Sequence, residues 1–257
     1  DVLAEMKKDD NYPPCLQEEQ CPGLIIERPG ALAEYLRQNE GWLGFLAQTQ
    51  KKGNTFELIS LGLTGRGREA AALSWRDAED LQEYIEVLAP YLENPLLPKA
   101  THDYKTAYLL FGQYGVQLKG VITDTQLMSY LLNPESSFAT ITEVAAKYLG
   151  RHIPKDEKPE TLFSQLRALD ELEPVLSGQL QKDDMWELYQ DLELPLSRVL
   201  AEMEKTGVLL DLNILKDIGQ ELKKRIEVLT AEIFALAGEE FNINSPKQLG
   251  QILFEKM

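Results

Sequence analysis

The most specific local chemistry in this sequence lies in the stretch FNINSPKQLGQILFEKM, residues 241–257. Ser245 is a preferred residue just before a helix, Pro246 suits the first helical position, and Gln248 completes an S-x-x-Q capping box. A helix is therefore predicted to begin here, with unpaired backbone N–H groups in its first turn. The side chains that would gather around those groups are Asn242, Asn244, Ser245, Lys247 and Gln248.

This set of side chains has two interpretations. Backbone N–H groups, a hydroxyl, an ammonium and amides are suited to an anion such as a phosphate, which the helix dipole also favours. The same residues fit a well-capped helix whose polar side chains are solvated and bind nothing. The local spacing alone leaves both open.

The overall charge limits how this chain could meet nucleic acid. It has 257 residues, of which 26 are basic and 42 acidic, for a formal net charge of -16. Nonspecific attraction to nucleic acid depends on phosphates neutralised by Lys and Arg, so any contact with DNA must be local. A hydrophobic content of 44% is enough for a substantial core, which predicts a globular protein of one large or two smaller domains.

The ends of the sequence and its cysteines carry further expectations. No apolar run is as long as a membrane span, and the N-terminus lacks the blocks of a signal peptide, so no membrane partner and a cytoplasmic location are expected. Cys15 and Cys21 lie in a polar stretch without zinc-ligand partners and are expected to be free thiols. Asp1 at the start, and an end within a predicted helix, favour a piece of a longer protein.

The elements that would position the candidate residues follow in chain order. Residues 1–22 have no clear period and are predicted to be a linker or arm. An apolar run and a helix come next, and then three strands joined by turns rich in Gly and charge, which predicts an antiparallel meander. These segments are Leu24–Glu27, Ala31–Gln38, Trp42–Thr49, Phe56–Thr64 and Glu69–Trp75.

Helices and short strands alternate in the middle of the chain. This order predicts an α/β fold with a mixed sheet flanked by helices. The predicted helices are Asp77–Leu92, Asp103–Tyr114, the one beginning at Asp124, and Thr140–Leu149, with short strands at Lys99–His102 and Gly120–Thr123.

From Pro159 onward the pattern is almost wholly helical. Helices are predicted at Pro159–Leu176 and Asp183–Leu194, followed by an apolar stripe that ends at Gly207. A long helix capped by Asp211 then carries apolar residues in steps of three and four, which is typical of a coiled-coil seam. Its seam residues are Leu215, Ile218, Leu222, Ile226, Leu229, Ile233 and Leu236.

Three sequence stretches resemble one known family. They are FNINSPKQLG, YGVQLKGVITDTQLMSYLLNP and FATITEVAAKYLG, and all three are similar to segments of family A DNA polymerases of the bacterial DNA polymerase I type. The resemblance covers roughly residues 24–257. It implies a ribonuclease H-like 3'-5' exonuclease domain over residues 23–180, and an all-α start of the polymerase domain, the thumb helices, over residues 181–257.

This resemblance also implies partners and a cofactor. The five donor side chains at the tip of the thumb would contact duplex primer-template DNA. The full protein would be a monomeric polymerase of replication and repair, using Mg²⁺ held by palm carboxylates. None of the palm motifs occurs before Met257, so this chain alone is expected neither to polymerise nor to hold that metal.

The family's exonuclease motifs are degenerate in this sequence. Two-metal hydrolysis of a phosphodiester needs converging carboxylates. Leu46 and Gln48 align with the two acids of the D-x-E strand, Ala107 aligns with the acid of N-x-x-x-D, and Ser164 or a neighbour aligns with the acid of the third motif. A shift of several residues would place Asp170 in the third position. The domain is therefore predicted to be a catalytically silent scaffold with no metal ligands.

Two other functions remain open at this point. One is an active metal-dependent exonuclease with relocated ligands. The other is a helical interaction module with no role on DNA. A single residue is also ambiguous, because Asp124 fits a helix cap and fits a catalytic acid.

Overall fold

The computed structural model describes residues 22–38, 41–53, 55–135, 140–154, 156 and 158–256. Nearly all of the predicted arm, residues 1–22, lies outside them. Cys15 and Cys21 lie outside them as well.

One mixed sheet of six strands forms the centre of the first part of the chain. Its spatial order is β1-β4-β3-β2-β5-β6. The strands are β1 (Gly23–Ile26), β2 (Leu43–Lys52), β3 (Thr55–Thr64), β4 (Ala70–Leu73), β5 (Lys99–Thr101) and β6 (Val121–Asp124). The predicted antiparallel meander is confirmed, since β3 pairs antiparallel with both β2 and β4. The outer pairs β1–β4, β2–β5 and β5–β6 are parallel, and helices make the connections that parallel pairs require.

Helices cover both faces of this sheet. They are α1 (Pro29–Arg37), α2 (Ala78–Leu92), α3 (Tyr104–Gln113), α4 (Thr125–Leu132), α5 (Ile141–Leu149) and α6 (Pro159–Lys182). On one face, Phe45 of β2 makes an edge-to-face contact with Phe111 of α3, with ring centroids 5.7 Å apart. On the other face α6 lies so close that a Cβ added to Gly62 would be 2.6 Å from Leu166 Cδ1. The predicted α/β architecture with a mixed, helix-flanked sheet is confirmed.

The helix that follows α6 differs from its prediction. From Trp186 the chain is helical without a break to Thr206, through a π-helical turn at Leu188–Glu193 and then α7 (Leu194–Thr206). Pro195 has no N–H to give to an α-helical hydrogen bond, and the π-helical turn directly before it lets the helix continue. The sequence had placed the end of a helix at Leu194.

The chain divides into two compact units, Asp1–Thr206 and Gly207–Met257. Residues 181–206, which the resemblance assigned to the polymerase part, pack within the first unit. There α7 is tied to α3 by the Lys105–Glu204 ion pair at 2.9 Å and by the Tyr108–Glu202 hydrogen bond. The boundary at residue 181 stays a prediction about the family's domains, distinct from this division by packing.

The second unit is helical, as expected. It contains α8 (Leu212–Ala237), the short α9 (Pro246–Gln251) and a π-helical turn at Ile252–Lys256. Asp211 caps α8 and accepts hydrogen bonds from the N–H groups of Asn213 and Ile214. None of the side chains of α8 is fully buried, and the seam Leu residues are between 46% and 75% exposed.

Candidate nucleic-acid interface and nuclease-like site

The predicted helix start at Ser245 is confirmed. The Ser245 hydroxyl accepts a hydrogen bond from the Gln248 N–H, and Pro246 occupies the first helical position. The return bond of the capping box differs from expectation, because Gln248 Oε1 accepts from the Asn242 N–H at 2.8 Å. Gln248 thus closes the loop in front of the helix rather than the cap itself.

The five candidate donor residues lie together in this loop and the first turn of α9. Asn242 Oδ1 accepts a hydrogen bond from the Asn244 N–H at 3.0 Å. The side-chain oxygens of Asn242, Ser245 and Gln248 therefore all accept hydrogen bonds from backbone N–H groups of the loop and the first helical turn. Their amide and hydroxyl hydrogens point to no protein acceptor among the described residues. Lys247 is exposed and forms no ion pair within the part of the chain described. These hydrogen bonds hold the loop, which presents the Lys247 ammonium without an ion-pair partner among the described residues.

Packing fixes this loop against the preceding helix of the same unit. The rings of Phe234 in α8 and Phe241 meet edge to face with centroids 5.8 Å apart. An ion pair between Lys256 and Glu239 joins the two sides of the loop. The position of the donor residues relative to α8 is therefore set by side chains on both sides of them.

The first pair of nuclease-like positions lies on β2, facing α6. Leu46 is buried and pairs with Gly62, against which Leu166 of α6 packs closely. Gln48 shares this face, because side chains two residues apart on a strand point the same way. Its amide is bonded on both sides, since Nε2 donates to Gln165 Oε1 at 3.3 Å and Oε1 accepts from the Ser60 hydroxyl at 2.5 Å. These two positions join the sheet to α6.

The second and third motif positions carry no free carboxylate. Ala107 is buried in α3, and Ser164 is buried in α6 with its hydroxyl bonded to the Glu160 carbonyl. Asp170, the alternative for the third motif, accepts from the Gly67 N–H at 3.4 Å, and partial burial raises the pKa of its carboxyl. It lies one turn before Glu173, which pairs with Arg66 at 2.7 Å.

These side chains do not fit a pair of hard cations. Leu46 and Ala107 have no donor atom, and the Gln48 amide carries no charge to balance two divalent ions. Within the described ranges, no three His, Cys, Asp or Glu side chains are grouped so that they could hold a metal ion.

Asp124 acts as a helix cap, and it caps two helices at once. Its Oδ1 accepts from the N–H groups of Gln126 and Leu127 at the start of α4, at 3.0 and 3.3 Å. Near α3, Oδ1 also accepts from the Asp103 N–H and Oδ2 from the Tyr104 N–H, at 3.1 and 2.9 Å. Burial raises the pKa of Asp124 to about 6 although these donors act in the opposite direction.

The backbone around Asp124 is held by residues that the sequence did not reveal. The Asp124 N–H donates to the Tyr189 hydroxyl at 2.8 Å, and that hydroxyl donates to the Ile122 carbonyl at 3.2 Å. Asp103 lies at φ 65°, a left-handed conformation that its bond to Asp124 helps to hold. Neither Tyr189 nor Gln165 gave a sequence signal, since their partners lie 65 to 117 residues away.

Two family models match the chain. The model described as DNA polymerase I, ribonuclease H-like domain, matches residues 67–158, and the model described as DNA polymerase family A matches residues 212–257.

Curated relatives carry the same family name. The DNA polymerase I of Bacillus subtilis is 37% identical over 196 residues, which is 70% of this chain and 22% of the relative. The DNA polymerase I of Lactococcus lactis subsp. lactis is 32% identical over 230 residues, covering 83% of this chain and 26% of the relative. The chain thus spans about a quarter of the length of these relatives.

Solved structures extend the comparison. A structure of the POL domain of Pol1 from M. smegmatis, in complex with DNA primer-template and dNTP, matches with a TM-score of 0.73 and 28% identity, over 92% of this chain and 41% of that one. Brucella melitensis NrnC bound to pGG matches with a TM-score of 0.53 and 14% identity, over 72% of this chain and 95% of that one. This second likeness shows the fold alone.

Among the described residues no helix is both long enough and apolar enough to cross a membrane.

Proposed function

The chain belongs to the family of bacterial DNA polymerase I, the family A DNA polymerases, and from this membership we propose that it is the part of such an enzyme that precedes the palm. The full protein then acts as a DNA-directed DNA polymerase in replication and repair. Its ribonuclease H-like domain is a catalytically silent scaffold, and the segment around α9 binds the primer-template duplex. The observation that carries this proposal is the match of 92% of the chain to a polymerase in complex with primer-template.

The DNA-binding part of the proposal rests on the tip of the second unit. Its residues lie in the range matched by the polymerase family model, and Lys247 is exposed in the first turn of α9. Each phosphate that a lysine neutralises releases counterions, so it adds to the salt dependence of binding. In an acidic chain a local contact of this kind carries most of the attraction to DNA.

Lys247→Ala in the longer polymerase tests that role. The substitution should weaken binding to duplex DNA of any sequence. It should also reduce the slope of the logarithm of the binding constant against the logarithm of the salt concentration by about 1. The matched control is Lys224→Ala, which removes another exposed lysine from α8. Equal slopes for the wild type and Lys247→Ala, measured by fluorescence anisotropy at several salt concentrations, would contradict a phosphate contact.

The silent-scaffold part rests on the four motif positions. Leu46, Ala107 and Ser164 are buried in packing contacts, and the Gln48 amide is bonded on both sides. A cation pair would need carboxylates here, and inserting them would bury like charges against α6. An active exonuclease would therefore need its metal ligands elsewhere in the domain.

A metal titration separates these alternatives. The 257-residue chain is incubated with 3'-labelled single-stranded DNA and increasing Mg²⁺ or Mn²⁺, with a chelator as the blank. No trimming above the blank is expected. Metal-dependent removal of 3' nucleotides would instead establish the alternative, an active exonuclease with relocated ligands.

The proposal also covers the metal ion, the oligomeric state and location of the protein, and the remaining alternative function. Mg²⁺ is held by the palm carboxylates of the longer protein. The protein is monomeric and cytoplasmic, in line with an enzyme whose substrate is the chromosome. A helical interaction module with no role on DNA is disfavoured, because the C-terminal unit matches the polymerase family itself.

A further inference from the structure

The helix that ends the first unit has one irregular step in its buried face. Tyr189 and Leu194 are both buried, and the next buried residue along the helix is Ala201. The step from Leu194 to Ala201 is close to two α-helical turns, whereas a step of five residues passes one full α-helical turn by about 140°. If the whole segment were α-helical, Tyr189 and Leu194 would therefore point in different directions.

The π-helical turn at Leu188–Glu193 removes this mismatch. The Leu194 N–H donates to the Tyr189 carbonyl, five residues earlier, and this bond places the two buried residues one helical turn apart. The turn thus contains one residue more than an α-helix needs between the same two positions. Gln190, the residue directly after Tyr189, is exposed.

The two sides of this turn belong to different sets of contacts. On one side, the Tyr189 hydroxyl is bonded to the backbone of the edge strand β6. On the other side, Glu202 and Glu204 of α7 bond to Tyr108 and Lys105 of α3. An α-helix rotates by about 100° per residue, so an α-helical path through the turn would rotate α7 relative to Tyr189 and break one of the two sets.

Pro195 disfavours that α-helical path. Within an α-helix its ring would collide with the carbonyl of Asp191, four residues earlier, and its nitrogen has no hydrogen to donate. The chain therefore carries the proline directly after the turn whose geometry it favours.

We propose that the π-helical turn is a conformational device that selects one register of α7 out of two. In the selected register Tyr189 holds β6 while Glu202 and Glu204 face α3, and in the α-helical register one of these sets is lost. Because α7 ends at Thr206, directly before Gly207, its register also fixes where the chain leaves the first unit. This role is independent of DNA binding by the second unit.

Two changes of length at the same site test the proposal in the 257-residue chain. One variant lacks Gln190, and its matched control carries an additional alanine after Gln190. Both also carry Pro195→Ala, so that an α-helix can form, and Pro195→Ala alone is the reference. The deletion removes the extra residue and should leave a regular α-helix with both sets of contacts. The insertion adds a further rotation of about 100° and should lose one set.

Each set of contacts has its own readout. For the contact with α3 it is the zero-length carbodiimide cross-link between Lys105 and Glu204, located by mass spectrometry, since their charged groups lie 2.9 Å apart. For the contact with β6 it is the fall in the urea unfolding midpoint that Tyr189→Phe causes in each background. The deletion variant should keep both the cross-link and the effect of Tyr189→Phe, and the insertion variant should lose one of them.

Two results would overturn the proposal. A deletion variant that does not fold, or that loses either readout, would show that the turn contains no residue in excess of an α-helix. An insertion variant that keeps both readouts would show that the contacts of α7 do not depend on its register.

Discussion

The buried carboxyl of Asp124 allows a quantitative test of the forces that hold the centre of this domain. Four backbone N–H groups point at it and favour its charged form, while its complete burial disfavours that form. Burial prevails and moves the pKa from 3.8 to about 6. Each pH unit of displacement corresponds to about 1.4 kcal/mol, so the difference between the two protonation states is about 3 kcal/mol.

The direction of the effect follows from the raised pKa. A carboxyl that binds its proton more tightly in the folded state stabilises the fold fully below about pH 4, and this contribution is lost as the pH rises through about 6. Asp124→Asn keeps the shape of the protonated acid and cannot titrate. Relative to this variant, the wild type should therefore lose up to about 3 kcal/mol of unfolding free energy between pH 4 and pH 7.

Urea unfolding followed by tryptophan fluorescence measures this difference. All three tryptophans, at positions 42, 75 and 186, belong to the first unit, so the signal reports the domain that contains Asp124. Asp77→Asn is the matched control, because it changes an exposed aspartate that caps α2 in the same unit. If the difference in unfolding free energy between the wild type and Asp124→Asn stays constant from pH 4 to pH 7, the N–H groups offset the effect of burial on the pKa of Asp124 completely.

Two further predictions concern the same edge of the sheet. Lys99 is fully buried with its ammonium bonded to the carbonyls of Asn94 and Leu97, and burial lowers its pKa to about 8. Because the folded protein releases this proton at a lower pH than the unfolded chain does, the cost of burying the charge disappears as the pH rises from about 8 toward 10.5. The unfolding free energy of the wild type should therefore rise by up to about 3 kcal/mol relative to that of Lys99→Met over that window. Urea unfolding at pH 7.5 and pH 10 checks this, and parallel pH profiles would contradict it. Tyr189→Phe should cost about 1–3 kcal/mol in unfolding free energy, because it leaves the buried Asp124 N–H and the part-buried Ile122 carbonyl without their partner. A loss below about 0.5 kcal/mol in the same assay would mean that water replaces the hydroxyl.

Local patterns predicted the elements of this fold well. The Gly-rich turn before Arg68 and the apolar runs around it indicated the meander, since turn chemistry acts over a few residues. Local sequence patterns could not predict where the first compact unit ends. It includes α7 because Lys105 pairs with Glu204 and Tyr108 bonds to Glu202, contacts between residues almost a hundred positions apart.

In the candidate sites, too, contacts between neighbouring residues were predictable and contacts between residues far apart in sequence were not. The cap at Ser245 was predictable, because its partners lie within the next three residues. Aligned motifs located Leu46 and Gln48, but nothing in the sequence indicated that Gln165 would hold the Gln48 amide. A partner 117 residues away is set by how α6 crosses the sheet, and crossing geometry depends on the packing of many side chains at once.

The contrast between Gln48 and Asp124 explains why one of these positions can be a carboxylate and the other is an amide. Asp124 lies where two helices begin, and the N–H groups there compensate a negative charge at no cost to packing. Gln48 lies in the middle of a strand, where the backbone N–H groups are committed to the sheet and only Ser60 and Gln165 are within reach. A carboxylate at that position needs a cation to be stable, and an amide does not, because it can donate to Gln165 as well as accept from Ser60. Gln48 thus links β2 to α6 through Ser60 and Gln165 without needing a cation.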